Sequence, residues 1–263
     1  MDPTAIDAIA RQLIDAQDRA TTIPPMTASA ADFDVDAAYD VLLEIESRRI
    51  AQGWRPVGRK IGFTNRTIWP RYGVYQPIWG TVYDRTFIRA PAGRTRVPLA
   101  GLVNPRIEPE MCFGLRASPV RGRVLEAIEW MAHSIEIVQC HHADWKVTLA
   151  DSTADNGLHG RLVVGAPQPL PSDLESLLPL AHVELRRGED KVDEGIGANV
   201  LGSPLLALAH LVGVLEQSGA RPLVAGEIVT TGTLTDAHPV KPGDTWSTRF
   251  TGIGLPGLTV EFT

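Results

Sequence analysis

The first fifty residues contain two stretches in which apolar side chains recur with the period of a helix. The first runs from Ile6 to Ile14 and the second from Ala38 to Ile50. Pro24-Pro25 stands between them, and a helix interior does not tolerate that pair. The pattern therefore predicts two amphipathic helices joined by a loop, with Asp34 or Asp36 as the N-cap of the second helix.

From Trp54 onward, short runs of β-branched and aromatic residues are broken by glycine and proline, a pattern typical of strands joined by turns. Two further helices are predicted, one over 125–132 that passes directly into a strand at 135–140, and one over 205–215 that follows the cap pair Ser203-Pro204. Residues 182–187 and 191–196 predict a hairpin. Other strands are expected at 57–63, 79–83, 86–88, 227–233, 244–251 and 258–262.

These elements predict an α+β, β-rich fold. We expect an N-terminal helical part over residues 1–55 and a β-rich body over residues 56–263, together forming one compact unit. Composition agrees, because 24 glycines and 20 prolines in 263 residues are too many for a helical bundle.

Composition also limits the classes of binding partner that we expect. No apolar run approaches the roughly 18 residues of a membrane span, so we expect a soluble globular protein that does not contact the membrane. The net charge of −6, without a long Lys/Arg cluster, argues against nucleic acid and favours a small-molecule partner. Cys112 and Cys140 lie in apolar runs, and the N-terminus lacks a signal-peptide pattern, so we expect a reduced, cytoplasmic protein.

Candidate chemistry begins with Glu108 and Glu110. In a strand, residues two apart point to the same side, so these two carboxylates would project together. Such a pair needs a proton or a cation to neutralise it, and hard divalent ions bind all-oxygen ligand sets. The alternative is an edge strand whose acids are solvated.

Glu136 favours the metal hypothesis, because it stands inside the apolar run Ile135–Val138, where a carboxylate needs compensation. Three carboxylates on Mg²⁺ or Mn²⁺ leave coordination positions for substrate oxygens and water, which is a catalytic arrangement. His141 and His142 follow closely, and at most one of them can point inward from a strand. The alternative for either histidine is a place on the surface or behind the metal ligands.

Seven short motifs together resemble one family in order along nearly the whole chain. That family is the 2-oxopent-4-enoate hydratase and 4-oxalocrotonate decarboxylase branch of the fumarylacetoacetate hydrolase superfamily. The motifs are Ile23-Pro24-Pro25, Gly58-Arg59-Lys60-Ile61-Gly62-Phe63-Thr64, Arg106-Ile107-Glu108-Pro109-Glu110, Ile135-Glu136-Ile137-Val138, Asp144-Trp145-Lys146, Ala154-Asp155-Asn156 and Gly202-Ser203-Pro204-Leu205.

The resemblance implies a rolled, barrel-like mixed β-sheet with N-terminal helices, assembled into a homo-oligomer. It implies Mg²⁺ held at Glu108, Glu110 and Glu136, with Mn²⁺ as a substitute, and Lys60 as a charged or proton-transferring group. Lys146, in a shared motif, is a candidate substrate-binding residue. The alternative for Lys60 is a solvent-facing strand lysine.

The chain departs from this family at Gln76-Pro77-Ile78-Trp79, where the hydratases usually carry acidic residues in a Glu-Pro-Asp-x-Gly segment. The segment is also aromatic, so we expect Tyr72 and Trp79 to bind substrate in a drier pocket, with core packing as the alternative. His159 stands where relatives more often have a small residue. We expect it to replace the missing acid as a catalytic acid/base.

Three functions remain open. The first is a Mg²⁺-dependent hydratase of a 2-hydroxy-2,4-dienoate in the catabolism of aromatic or related compounds, with a 2-oxo or 2-hydroxydienoic acid as ligand. The second is 4-oxalocrotonate decarboxylase or a related lyase of 2-oxo acids. The loss of acidic residues at positions 76 and 78 weakens the hydratase hypothesis and so supports this one. The third is an inactive subunit in complex with an active related hydratase or decarboxylase, against which the retained glutamates and Lys60 argue.

Overall fold

The computed structural model describes residues 1–30, 32–218 and 220–263, and for residues 71 and 72 the backbone alone. The helices are α1 (Pro3–Arg19), α2 (Val35–Ala51), α3 (Trp69–Tyr72), α4 (Leu149–Ala154), α5 (Leu174–Leu177) and α6 (Pro204–Ser218). The strands are β1 (Pro56–Gly62), β2 (Ile78–Tyr83), β3 (Phe87–Arg89), β4 (Arg94–Val97), β5 (Arg106–Leu115), β6 (Ile128–Val138), β7 (His159–Val164), β8 (His182–Arg187), β9 (Asp190–Ile196), β10 (Ile228–Thr230), β11 (His238–Pro239), β12 (Thr245–Thr251) and β13 (Thr259–Phe262).

The N-terminal helices form where the periodicity predicts them. Asp34 is the N-cap of α2, because its carboxylate accepts a hydrogen bond from the backbone N–H of Ala37 at 2.9 Å. The apolar faces of α1 and α2 pack on each other and on α4, through a core that includes Leu13, Val41 and Ala150. The helical part therefore covers the short helix that precedes the strand β7.

The strands form two sheets. The larger is mixed and runs β2-β1-β10-β5-β6-β7-β3, with β11 also paired to β5. Its β1–β10 and β3–β7 pairs are parallel, and its other pairs are antiparallel. The smaller sheet runs β4-β13-β12-β8-β9 and contains the predicted β8–β9 hairpin. This strand-rich α+β architecture, with N-terminal helices and a curled sheet, confirms the predicted fold class.

Two apolar cores hold these layers together. In the first, Leu208 and Leu211 of α6 join a cluster that contains Phe113 and Met131 of the larger sheet. The second contains side chains from both sheets, among them Ile135 and Val260. Within the described residues, no helix combines the length and the apolar composition that crossing a lipid bilayer requires.

The helix predicted over 125–132 is wrong. Residues 124–127 form one 3-10 turn, and β6 begins at Ile128. From Ile128 to Val138 the chain pairs antiparallel with β5, so the backbone groups are satisfied across the sheet. Long-range pairing with a buried strand outweighs the local helical spacing of a few apolar residues.

Candidate active site

The strand register brings three glutamates together. Glu108 on β5 lies directly opposite Glu136 on β6, and Glu110 projects from the same face of β5 as Glu108. One carboxylate oxygen of each residue lies within 4.8 Å of one of each of the others. The structure thus places the three residues predicted to bind metal in a single cluster.

Glu110 is held by one carboxylate oxygen and leaves the other unpaired. Its Oε2 accepts hydrogen bonds from the Thr230 hydroxyl and, at 2.9 Å, from the backbone N–H of Gly232. Its Oε1 is buried and has no hydrogen-bond partner within the described structure. A buried carboxylate oxygen without a partner is costly, unless a proton or a cation lies beside it.

The carboxylates also perturb one another. Burial raises the pKa of Glu108 to about 7, with the charge of Glu136 adding to the effect and Lys60 opposing it. Burial and the two neighbouring carboxylates hold the pKa of Glu110 well above its ordinary value. Burial alone would raise the pKa of Glu136, but Lys60 and His159 outweigh it and lower that pKa. The cluster therefore takes up positive charge readily, either as protons or as a metal ion.

Lys60 brings a positive charge to this site. Its side chain on β1 is 2 % exposed, which contradicts a solvent-facing position. The ammonium donates a hydrogen bond to the carbonyl oxygen of Gly157 at 2.7 Å and lies 3.2 Å from Glu136 Oε2. Burial alone would lower the pKa of Lys60, but the three glutamates outweigh burial and raise it. The carboxylate cluster therefore favours the protonated form of Lys60.

A strained turn places the carbonyl group that holds Lys60. Asn156, Gly157 and Leu158 all adopt left-handed backbone conformations, with φ of 52°, 63° and 65°. The Asn156 side chain clamps the turn to β2 by bonding the N–H and the carbonyl oxygen of Thr81 at 2.8 and 3.0 Å. A Cβ atom on Gly80 would lie 2.2 Å from the Asn156 carbonyl oxygen, so β2 requires glycine there. The Asn156-Gly157 dipeptide was the available sequence signal for this turn.

His159 lies behind the carboxylate cluster. Its Nδ1 is 2.7 Å from Glu136 Oε1, and its Nε2 is 2.8 Å from the Thr86 hydroxyl. Both ring nitrogens are occupied, and His159 is absent from the residues that line the cavity described next. The structure therefore places the His159 ring against a glutamate and a threonine, outside the described wall of that cavity.

A narrow cavity opens beside Lys60 and Glu108, and its wall is mostly apolar. Among its described lining residues, Lys60 is the one cation, and Thr233 adds a hydroxyl group. Such a cavity suits a ligand with an acidic end and an apolar remainder. The lining residues are Lys60, Ile61, Gly62, Phe63, Ile68, Glu108, Val138, Trp145, Val147, Gly157, Leu158, Thr233 and Ala237.

The remaining predicted substrate-binding residues are not brought to this cavity. Trp79 is buried in the core, with its ring stacked on Tyr39 at 5.3 Å, and its strand register places it on the face opposite Lys60. The Lys146 side chain is 81 % exposed and pairs with Asp144 at 3.5 Å. The Tyr72 side chain lies outside the described structure.

The two histidines after β6 are also occupied elsewhere. His141 Nδ1 lies 2.8 Å from Asp155 Oδ1, and His142 Nδ1 lies 3.1 Å from the carbonyl oxygen of Ile23. Neither belongs to the described cavity wall. Both are buried beneath the N-terminal part of the chain.

The sequence is similar to a known protein family and to individual enzymes of known activity. The family described as fumarylacetoacetate (FAA) hydrolase C-terminal matches residues 81–261. A 2-keto-4-pentenoate hydratase of Paraburkholderia xenovorans (strain LB400) is 33 % identical over 97 % of this chain and 94 % of its own. A 2-hydroxyhexa-2,4-dienoate hydratase of Comamonas testosteroni is 31 % identical over 100 % of this chain and 99 % of its own.

A solved structure shares nearly the whole architecture. It is 4-oxalocrotonate decarboxylase from Pseudomonas putida G7, complexed with magnesium and adipate. The TM-score is 0.90 at 28 % sequence identity, and the match covers 100 % of this chain and 99 % of that one. The similarity therefore extends to both hydratases and a decarboxylase.

Proposed function

This chain belongs to the fumarylacetoacetate hydrolase family, and from that premise we propose that it is a Mg²⁺-dependent hydratase. The substrate is a 2-hydroxy-2,4-dienoate, the product is a 4-hydroxy-2-oxo acid, and the reaction serves the catabolism of aromatic or related compounds. The observation that carries this proposal is the convergence of Glu108, Glu110 and Glu136 with Lys60 beside an otherwise apolar cavity.

The glutamates fit a hard divalent ion. Three carboxylates supply the all-oxygen donors that Mg²⁺ and Mn²⁺ prefer, and the buried, unpaired Oε1 of Glu110 is a ligand atom in need of a cation. When bound, the metal supplies positive charge that stabilises an enolate oxygen of the substrate. Glu108, Glu110 and Glu136 are the residues that would hold it.

Hydration requires a redistribution of protons that Lys60 can assist. The hydroxyl group of water adds to C4 of the dienoate, and the enol proton and the second proton of water end on C3 and C5. Lys60 lines the cavity, and its ammonium form can bind the substrate carboxylate or donate a proton to a carbon of the dienoate. The Gly157 carbonyl and Glu136 fix the position of its ammonium group.

His159 acts through Glu136. Its ring occupies one oxygen of that carboxylate, Oε1, and Lys60 lies beside the other. We propose that His159 is a positioning residue, which orients Glu136 toward the metal and does not exchange protons with the substrate. This role replaces the acid/base role expected from the sequence.

Decarboxylation of a 2-oxohexenedioate is the second candidate. It is favoured by Ile78, because the resemblance to this family implies that the hydratases usually carry an acidic residue at that position. Ile78 and the Lys60 ammonium both lie beside Gly62, at 3.3 and 3.1 Å from the point that a Cβ atom there would occupy. One observation argues against it. Lys60 is the one cation among the described residues of the cavity wall, so the second carboxylate of a dicarboxylate would find no further positive charge in that wall. The third candidate, an inactive subunit, is disfavoured by the complete set of glutamates and Lys60.

The test is a comparison of two substrates. The purified protein with Mg²⁺ is incubated with a 2-hydroxy-2,4-dienoate and with 2-oxohex-3-enedioate, and the products are identified. We expect the dienoate to yield a 4-hydroxy-2-oxo acid and the dicarboxylate to release little carbon dioxide. Carbon dioxide release without hydration would show that the protein is a decarboxylase.

We further propose that the protein is a cytoplasmic homo-oligomer, as the resemblance to this family implies.

A further inference from the structure

Trp145 lines the cavity and has an unusual backbone conformation. It follows β6 in the short turn Ala143–Trp145, where both Asp144 and Trp145 have a φ of 57°. Side-chain-bearing residues occupy this left-handed region sparsely, and consecutive examples need support from their surroundings.

That support comes from the start of β5. The indole N–H of Trp145 donates a hydrogen bond to the carbonyl oxygen of Asn104 at 3.1 Å. The guanidinium carbon of Arg106 lies 4.2 Å from the centroid of the Trp145 ring, a cation–π contact. The ring is therefore fixed against the strand that carries Glu108 and Glu110.

Trp145 lines two spaces. One is the apolar cavity, whose wall it shares with Val138 and Val147. The other is an open depression, which we call the outer groove, formed with Asn104, Pro105, Arg106, Asp144, Pro239 and Val240. Trp145 therefore belongs to the walls of both spaces.

Trp145 is tied to the strand that carries the glutamates. Arg106, whose guanidinium group contacts the Trp145 ring, lies two residues before Glu108 on the same face of β5. The ring therefore contacts a side chain from the face of β5 that carries the glutamate cluster.

We propose that Trp145 determines substrate specificity by closing the tail end of the cavity. This inference rests on the proposed function and names its substrate class: 2-hydroxy-2,4-dienoates with no tail or a short alkyl tail. Dienoates that carry a phenyl group at C5 are excluded by the indole ring. Removing the ring joins the cavity to the outer groove and admits them.

The test measures kcat/KM with Mg²⁺ for 2-hydroxypenta-2,4-dienoate and for its 5-phenyl derivative. Trp145→Ala is expected to raise the ratio of phenyl to unsubstituted kcat/KM at least tenfold, the scale on which an apolar pocket discriminates by size. Trp145→Phe keeps a ring and should leave the ratio within about threefold of wild type. Trp145→Leu should give an intermediate ratio. If the alanine variant does not fold, the leucine variant is compared with wild type in its place. Trp54→Ala is the matched control, because it also removes an indole ring stacked on an arginine, Arg49, but Trp54 is absent from the described cavity wall.

Two failures are distinguishable. If wild type hydrates neither dienoate, the proposed function fails and this inference falls with it. If wild type is active but folded Trp145→Ala and Trp145→Leu both keep the wild-type ratio, Trp145 does not set the tail length. A folded alanine variant that loses both activities equally would also overturn the inference, because Trp145 would then serve the acid end of the substrate.

Discussion

Removal of the His159 ring tests whether this residue positions Glu136 or exchanges protons with substrate. In His159→Ala, Glu136 Oε1 loses a buried partner at 2.7 Å, while Lys60 stays 3.2 Å from Oε2. The carboxylate is then free to rotate, and its orientation toward a metal is no longer fixed. The structure therefore predicts a loss in metal binding first and in chemistry second.

The size of the effect follows from the contact. Removing a partner that orients a metal ligand typically lowers metal affinity about 10- to 100-fold. That range corresponds to about 1.4–2.7 kcal/mol of binding free energy. A general acid/base would instead lower turnover by about 10²-fold or more, even with the metal site saturated. The two roles thus differ in whether excess Mg²⁺ restores the rate.

Calorimetric titration with Mg²⁺ measures the affinity, and kcat at saturating Mg²⁺ measures the chemistry. His159→Gln should recover part of the affinity, because its amide can donate to Glu136. His182→Ala is the matched control, since His182 pairs with Glu194 at 3.0 Å on the other sheet and should not change Mg²⁺ binding. Unchanged affinity in His159→Ala, or a kcat loss of 10²-fold that excess Mg²⁺ does not relieve, would refute the positioning role.

Three further substitutions test the rest of the site. Glu108→Gln should lower the Mg²⁺ affinity measured by calorimetry at least tenfold. The melting temperature of the metal-free protein should not fall, because burial already penalises the Glu108 charge and raises its pKa to about 7. Lys60→Met should abolish turnover. It should also lower the free energy of unfolding by about 3–5 kcal/mol, because it leaves buried carboxylates without their cation. In denaturant titrations, added Mg²⁺ should restore part of the lost stability. Gly80→Ala should lower activity at least tenfold, because its Cβ atom would displace the Asn156 carbonyl and the turn that holds Lys60.

Each of these has a contrary outcome. Wild-type Mg²⁺ affinity in Glu108→Gln would remove that residue from the metal site. Near-normal turnover in Lys60→Met would show that its ammonium group is dispensable. For Gly80, the control is Gly213→Ala on α6, where a Cβ atom would meet its nearest neighbour, Arg121, at 3.6 Å. Equal activity of the two alanine variants would contradict the role of the turn.

Local sequence rules predicted much of the site. Alternation along a strand placed Glu108 and Glu110 on one face, and the apolar surroundings of Glu136 indicated a buried carboxylate that needs compensation. What these rules could not supply is the register of β5 against β6. That register puts Glu136 opposite Glu108, and it is set by pairing between segments about 30 residues apart in sequence.

Two predicted site residues, Trp79 and His159, lie outside the described cavity wall, and the reasons are physical. Trp79 was expected at the substrate, but every residue of β2 is buried, so the sequence shows no alternation that would tell which face holds the cavity. His159 was expected to contact substrate because an acid is missing at Ile78. Its actual partners, Glu136 and Thr86, come from β6 and from the turn before β3, and only the folded sheet brings them together.

The central claim is that Glu108, Glu110 and Glu136 hold one metal ion beside Lys60. Anomalous diffraction from crystals grown with Mn²⁺ and pyruvate, a small 2-oxo acid, tests it most directly. We predict one manganese peak at this site, about 2.2 Å from an oxygen of each glutamate, with pyruvate between the metal and Lys60. A manganese peak elsewhere, or one bound without Glu136, would contradict the account.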